Sequence, residues 1–156
     1  MVIKEMGIGR VFRKCKTIIY KFFNPRMRGL DLYEVPRIYF KNRLTLGKNI
    51  HINDSVFIHA VGGVEIGDNT VLSHGCSVIS TSLDTAGWTK FGGNNHHIDK
   101  KIIIGKHVWL CANCTILPGV TIADNCVIAS GAVVTKSITE SGTMWGGCPA
   151  KFIKFL

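Results

Sequence analysis

The chain has 156 residues and carries 19 Lys and Arg against 10 Asp and Glu, a net charge of +9. That length suits one domain with its own core. No apolar run approaches a membrane span, the N-terminus lacks the apolar core of a signal peptide, and no nucleic-acid module or interleaved stacking aromatics accompany the basic residues; the expectation is a cytoplasmic protein with no nucleic-acid partner.

Residues 2–23 read as a basic amphipathic helix. Its apolar residues are Ile3, Met6, Val11, Cys15, Ile18, Ile19, Phe22 and Phe23. Lys4, Arg10, Arg13, Lys14, Lys16, Lys21, Arg26 and Arg28 concentrate positive charge on this end of the chain and favour anions, whether phosphorylated cofactors or acidic lipid surfaces. The expected role of the helix is to cap a repeat stack or pack on a neighbouring subunit. A second reading is peripheral contact with the inner membrane surface.

From Leu44 the sequence repeats every six residues. One aliphatic series runs Leu46, Ile52, Ile58, then, after the two-residue insertion Gly62-Gly63, Ile66, Leu72, Val78. It resumes as Ile104, Leu110, Ile116, Ile122, Ile128, Val134. Two residues before each marker stands a second series of smaller side chains: Leu44, Ile50, Val56, Val64, Thr70, Cys76, Ile102, Val108, Cys114, Val120, Cys126 and Ala132. Two inward residues flanking one outward residue mark a short strand. The intervening triplets "GKN", "NDS", "GDN", "ADN" and "ASG" supply the Gly and Asn that tight corners need. Three-residue strands separated by three-residue corners cannot form a helix or long hairpins; they can coil, each turn stacking on the last. The expectation is an all-β parallel β-helix over residues 44–147, interrupted by a loop at 79–101, with a helical capping segment at 1–43 and a tail at 148–156.

Six cysteines are present, and "CANC" at 111–114 is a lone CxxC without a second pair, a weak metal signal. Cys76, Cys114 and Cys126 fall at inward positions and read as small reduced core residues.

The stretch "IIIGKHVWLCANCTILPGVTIADNCVIASGAVVTKS", followed by "GGCPAKFIK", resembles the hexapeptide-repeat acyltransferases of left-handed parallel β-helix fold. Within them it is most similar to the galactoside, maltose and surface-polysaccharide O-acetyltransferases. The resemblance runs from Leu44 to Lys154. It implies left-handed coils, an exception to the right-handed parallel crossover, and a homotrimer. It also implies acetyl-CoA as co-substrate in clefts between adjacent β-helices, no metal, and a saccharide hydroxyl as acceptor. Residues matching the family's CoA contacts are Ala112, Ser130, Thr135, Lys136 and Lys154. The two lysines suit the phosphates of CoA.

Attack of a hydroxyl on a thioester requires a base, for which histidine is apt. In the family this histidine stands where the loop leaves the coil. Counting forward from Ile66 puts that position on Leu83, which cannot accept a proton. Asn53 matches the asparagine that helps hold the acceptor. His97, then His96, are the candidate bases in the same loop; His74 lies one coil on from Asn53. His59 falls one corner position early for a family role, and none is carried to it. Trp88 and Phe91 of the loop, with Trp109, read either as a sugar-stacking wall or as loop anchors. Three functions stay open: sugar O-acetylation, N-acetylation of an amino sugar, and a homologue impaired by Leu83 that serves as a CoA-binding or assembly scaffold.

Overall fold

The computed structural model describes residues 2–85 and 96–156, with side chains from Gly9 onward. Helix α1 (Val2–Phe23) leads into five stacked coils with three faces, the first four supplying a short strand to every face. The first coil is β1 (Asp31–Leu32), β2 (Arg37–Tyr39) and β3 (Leu44–Leu46). The second is β4 (His51–Ile52), β5 (Phe57–His59) and β6 (Val64–Ile66). In the third, β7 (Val71–Leu72) and β8 (Ser77–Ile79) are followed by an excursion whose stem is the hairpin β9 (Thr81–Leu83) and β10 (His97–Asp99), before β11 (Ile102–Ile104) closes the coil. The fourth is β12 (Trp109–Leu110), β13 (Thr115–Ile116) and β14 (Thr121–Ile122). The fifth is β15 (Val127–Ile128), β16 (Val133–Val134) and an isolated bridge at Ile138. The antiparallel pair β17 (Thr143–Gly146) and β18 (Lys151–Phe155) ends the chain.

Pairing between coils is parallel and in register with the hexad. Leu46, Ile66, Ile104 and Ile122 are successive partners on the third face. Ile52, Leu72, Leu110 and Ile128 align on the first, and Ile58, Val78, Ile116 and Val134 on the second. All members of both sequence series are buried except Leu46, which is half-buried. Burying such columns on the inside of a coil is the main driving force for the fold, at about 25 cal/mol per Å² of apolar surface.

The corners depend on left-handed backbone at one position each. Where the third face turns into the first, Asn49, Asn69, His107 and Asn125 all have positive φ. Their side chains form a ladder: Asn49 Nδ2 donates to Asn69 Oδ1 at 3.1 Å, and Asn69 Nδ2 lies 3.4 Å from His107 Nε2. Asparagine tolerates this region and its amide links adjacent coils.

The stacking reaches upstream of Leu44. Leu32 and Ile38 are buried, six residues apart, and pair with Ile52 and Ile58 as a full coil. Their spacing to the next marker is eight rather than six, the same two-residue excess as at Gly62-Gly63, which conceals this coil in a strict count of six.

Helix α1 meets the body by a side other than its apolar stripe. Its apolar stripe does not cap the coil: Val11, Phe12, Ile18, Ile19, Phe22 and Phe23 are between 57% and 74% exposed. The helix meets the body through its other side. Thr17 is buried, Tyr20 packs on the core, Arg13 lies over the Tyr33 ring at 4.3 Å, and Lys21 Nζ donates to the Leu30 carbonyl at 2.6 Å. The apolar plug at this end is supplied by Met27 and Leu30, 2% and 5% exposed. These two apolar residues reach the end of the core directly, so the helix stripe is not needed there.

Candidate active site

The predicted residues other than Lys154 fall on two different edges of the coil stack. Where the first face turns into the second, Asn53 sits half-buried at the second coil. Backbone bonds Gly75 N–H to Asp54 C=O, Asn113 N–H to His74 C=O, and Gly131 N–H to Ala112 C=O align Asp54, His74, Ala112 and Ser130 as one column. Coils repeat at about 4.8 Å, so the edge from Asn53 to Ser130 spans about 14 Å. Within it, His74 Nδ1 lies 2.8 Å from Asp54 Oδ2, with the His74 side chain 55% exposed. A carboxylate on Nδ1 fixes the ring and leaves Nε2 facing out. Trp109 is half exposed beside this edge and its indole N–H donates to Ser73 Oγ at 2.9 Å. Trp88 and Phe91 lie outside the described residues.

The edge between the second and third faces carries an insertion in each of the first three coils: around Phe40–Arg43, at Gly62-Gly63, and the long excursion. Ser80 anchors the root of that excursion. Fully buried, it donates from Oγ to the His59 carbonyl at 2.7 Å and accepts from Gly62 N–H at 2.8 Å, while its carbonyl accepts from Lys100 N–H at 3.0 Å. Gly62 must be glycine here, because a Cβ would stand 2.5 Å from Ser80 O and 2.7 Å from Lys100 N. Above this root the stem pairs Asp99 with Thr81, Ile98 with Ser82 and His97 with Leu83. Residues directly opposite in an antiparallel ladder project from the same side, with Cβ atoms about 4.5–5.5 Å apart. His97 therefore stands beside Leu83, the expected base position. Its Nδ1 is 3.4 Å from Thr81 Oγ1, and both His97 and Leu83 are exposed. His96, also exposed, accepts from Asp84 N–H through its carbonyl. Thr135 and Lys136 are exposed on this same edge at the fifth coil, and Lys154 is exposed on β18, opposite Met144.

One chain does not bring all of these together. Asn53, His74, Ala112 and Ser130 share one edge; Leu83, His96, His97, Thr135 and Lys136 share another. The second face lies between them, a side of six residues or at most about 20 Å of chain.

The remaining candidates are structural. Cys76, Cys114 and Cys126 are buried, as their inward positions predict. Cys114 is held well above the usual thiol range by its hydrogen bond with Cys76 and by burial, and burial raises Cys111. His59 is half-buried among Tyr39, Phe40 and Phe57, with ring centroids 5.3–6.2 Å away, and among the described residues its Nδ1 has no hydrogen-bond partner. Sequence reasoning missed Asp54 as the partner of His74, because a corner aspartate carries no signal until the coil register is known.

A three-faced parallel β-helix on six-residue units, with loop and corner residues gathered on its edges, defines the class of hexapeptide transferases. The bacterial transferase hexapeptide family (six repeats) matches residues 101–136. A putative colanic acid biosynthesis acetyltransferase, WcaF of Escherichia coli (strain K12), is 30% identical over 93% of this chain and 77% of its own length. The galactoside O-acetyltransferase of the same strain is 30% identical over 81% of this chain, which spans 62% of that relative's length. A solved galactoside acetyltransferase in complex with coenzyme A superposes with a TM-score of 0.66 at 25% identity, covering 81% of this chain and 64% of that one. The chain belongs to the hexapeptide-repeat acetyltransferase family.

Proposed function

We propose that this chain is an acetyl-CoA-dependent O-acetyltransferase acting on a sugar hydroxyl in surface-polysaccharide biosynthesis. The observation that carries the reading is the register of the loop stem. His97 lies directly across from Leu83, so an imidazole is available one strand away from the position the family's base occupies. The relatives named for galactoside and colanic acid acetylation support the reaction class and the acceptor class.

In this reading the imidazole of His97 accepts the hydroxyl proton as the acceptor oxygen attacks the thioester carbonyl. The tetrahedral intermediate collapses with loss of the CoA thiolate, which takes the proton back from the imidazolium. His96 is the adjacent alternative. Asn53 orients the acceptor. Lys136 and Lys154 pair with CoA phosphates, Thr135 supports that end, and Ala112 and Ser130 leave room for the pantetheine arm. The division of these residues between two edges supports a homotrimer, in which the first edge of one copy faces the loop edge of the next. The exposed stripe on α1, together with the absence of any Asp or Glu from Met6 to Leu30, supports peripheral contact with an acidic membrane surface.

One observation favours a second base: the His74–Asp54 pair, already oriented at 2.8 Å and on the same edge as Asn53. The two readings separate in a transfer assay that follows thiol release with a panel of sugar acceptors, run beside calorimetric titration with acetyl-CoA. His97→Ala is expected to lower kcat by ~100-fold or more while the acetyl-CoA Kd stays within about twofold. Should His74→Ala carry that loss instead, the base is His74. A large gain on Leu83→His would support the impaired-homologue reading, and no acetyl-CoA binding at millimolar ligand would sink the transferase reading altogether. An amino-sugar acceptor preferred over its hydroxyl counterpart would make the enzyme an N-acetyltransferase.

A further inference from the structure

A cavity of about 230 Å³ opens at the N-terminal end of the first edge, between α1 and the first two coils. Arg10, Arg13 and Lys14 line it from the helix, and Tyr33, His51 and Asn53 from the coils. None of the three cations has a carboxylate within 4 Å among the described residues. The one carboxylate in the lining, Asp31, is turned to His51 Nδ1 at 3.0 Å. Three like charges converging on one small concavity repel one another unless an anion enters it. Arg13 lies over the Tyr33 ring at 4.3 Å, a contact that keeps its charge, and a guanidinium carries N–H donors suited to an oxygen pair.

The position of the cavity says what kind of molecule would bring that anion. Asn53 lines it and also begins the edge on which Asp54, His74, Ala112 and Ser130 are stacked. A group bound in the cavity is therefore continuous with the site where the acceptor hydroxyl would be held. The volume lies below the about 300–1,000 Å³ of sites for drug-sized ligands and suits one sugar-sized charged group.

We infer that this cavity binds a negatively charged group, phosphate or carboxylate, carried by the saccharide acceptor, and that the enzyme selects charged sugars over neutral ones. The inference rests on the O-acetyltransferase reading for the word acceptor, and on the cavity alone for the anion.

The test is calorimetric titration of the full chain with inorganic phosphate, a hexose 1-phosphate, a hexuronate and the parent neutral hexose, with CoA titrated separately. At least one charged sugar is expected to bind ten-fold or more tightly than the neutral one, and the phosphate and uronate arms tell which anion is read. The double variant Arg10→Gln/Lys14→Gln should lose ten-fold or more of that affinity, keep its circular dichroism and melting temperature, and leave the CoA Kd unchanged. Lys106→Gln, on the edge between the third and first faces, should bind as the parent does. Equal affinity for charged and neutral sugars, or no sugar binding, overturns the inference. An equal loss in Lys106→Gln overturns it too, because general attraction to a basic protein would then explain the binding. Failure to bind CoA is a different result: it removes the transferase reading without touching anion selectivity.

Discussion

Leu83 and His97 show how far single positions can be read from this chain. The family resemblance supplies an expected base position, and counting hexads carries it onto Leu83, because that step needs only the repeat. The count cannot identify His97 as the neighbour, because that depends on the register of a hairpin outside the repeat. Register decides which side chains share a face, and here it sets an imidazole beside the leucine. Cysteine burial was legible for the same reason as Leu83: the inward positions follow from the period. It carries a prediction of its own. Cys15 and Cys148 are exposed, while Cys76, Cys114 and Cys126 are buried. A charged alkylating reagent should modify Cys15 and Cys148 rapidly at neutral pH, and Cys111, half-buried and raised by desolvation, more slowly. The three core thiols should react only in denaturant, which mass spectrometry of the time course would resolve.

Among the elements, α1 is legible as a helix but not in its orientation. Amphipathic spacing predicts the helix, and the helix is there. Spacing does not say which side faces the protein, and the side that does carries Arg13, Thr17 and Tyr20. The exposed stripe should bind acidic vesicles. Phe22→Ser/Phe23→Ser should weaken flotation with anionic liposomes by ten-fold or more, each ring contributing about 1.5–3 kcal/mol of burial. Unchanged flotation would count against membrane contact. The corners make a second prediction. Gly67 stacks against the next coil so closely that a Cβ would lie 2.7 Å from the backbone carbon and oxygen of Gly105. The atoms in the way are backbone and cannot step aside, so Gly67→Ala should destabilise the fold by about 1–3 kcal/mol, visible as a lower urea midpoint. At the equivalent place in the fourth coil the residue is Ala123, whose N–H bonds the carbonyl of Ile138 in the less regular final turn.

At the scale of the molecule, the stack of coils was legible because one physical requirement, an inward aliphatic every six residues, repeats often enough to exceed chance. The first coil was not, because its eight-residue step breaks the count while its side chains still meet the requirement. The two-edge distribution of candidate residues needed the corners to be placed in space. Repeat stacks couple nearest neighbours, so a cavity in a middle layer should be felt across the chain. Ile116→Ala, fully buried between Val78 and Val134, should cost about 2–5 kcal/mol and shift a single unfolding transition.

The two ends of the stack have a different kind of consequence. A ladder of parallel coils is a stretch of something that could grow without limit, since its last turn offers the next one a complete set of donors and acceptors. Here growth is terminated on every side. β18 lies antiparallel on the first face, the turn at 147–150 bonds Val133 on the second through Gly147 C=O and Ala150 N–H, and Ile138 closes the third. Met27 and Leu30 plug the opposite end. A chain cut after Gly147 keeps its whole aliphatic column but loses the stop at one end only, and light scattering should find it pairing through that exposed end as a dimer, growth beyond two copies being blocked by the plug that Met27 and Leu30 still supply.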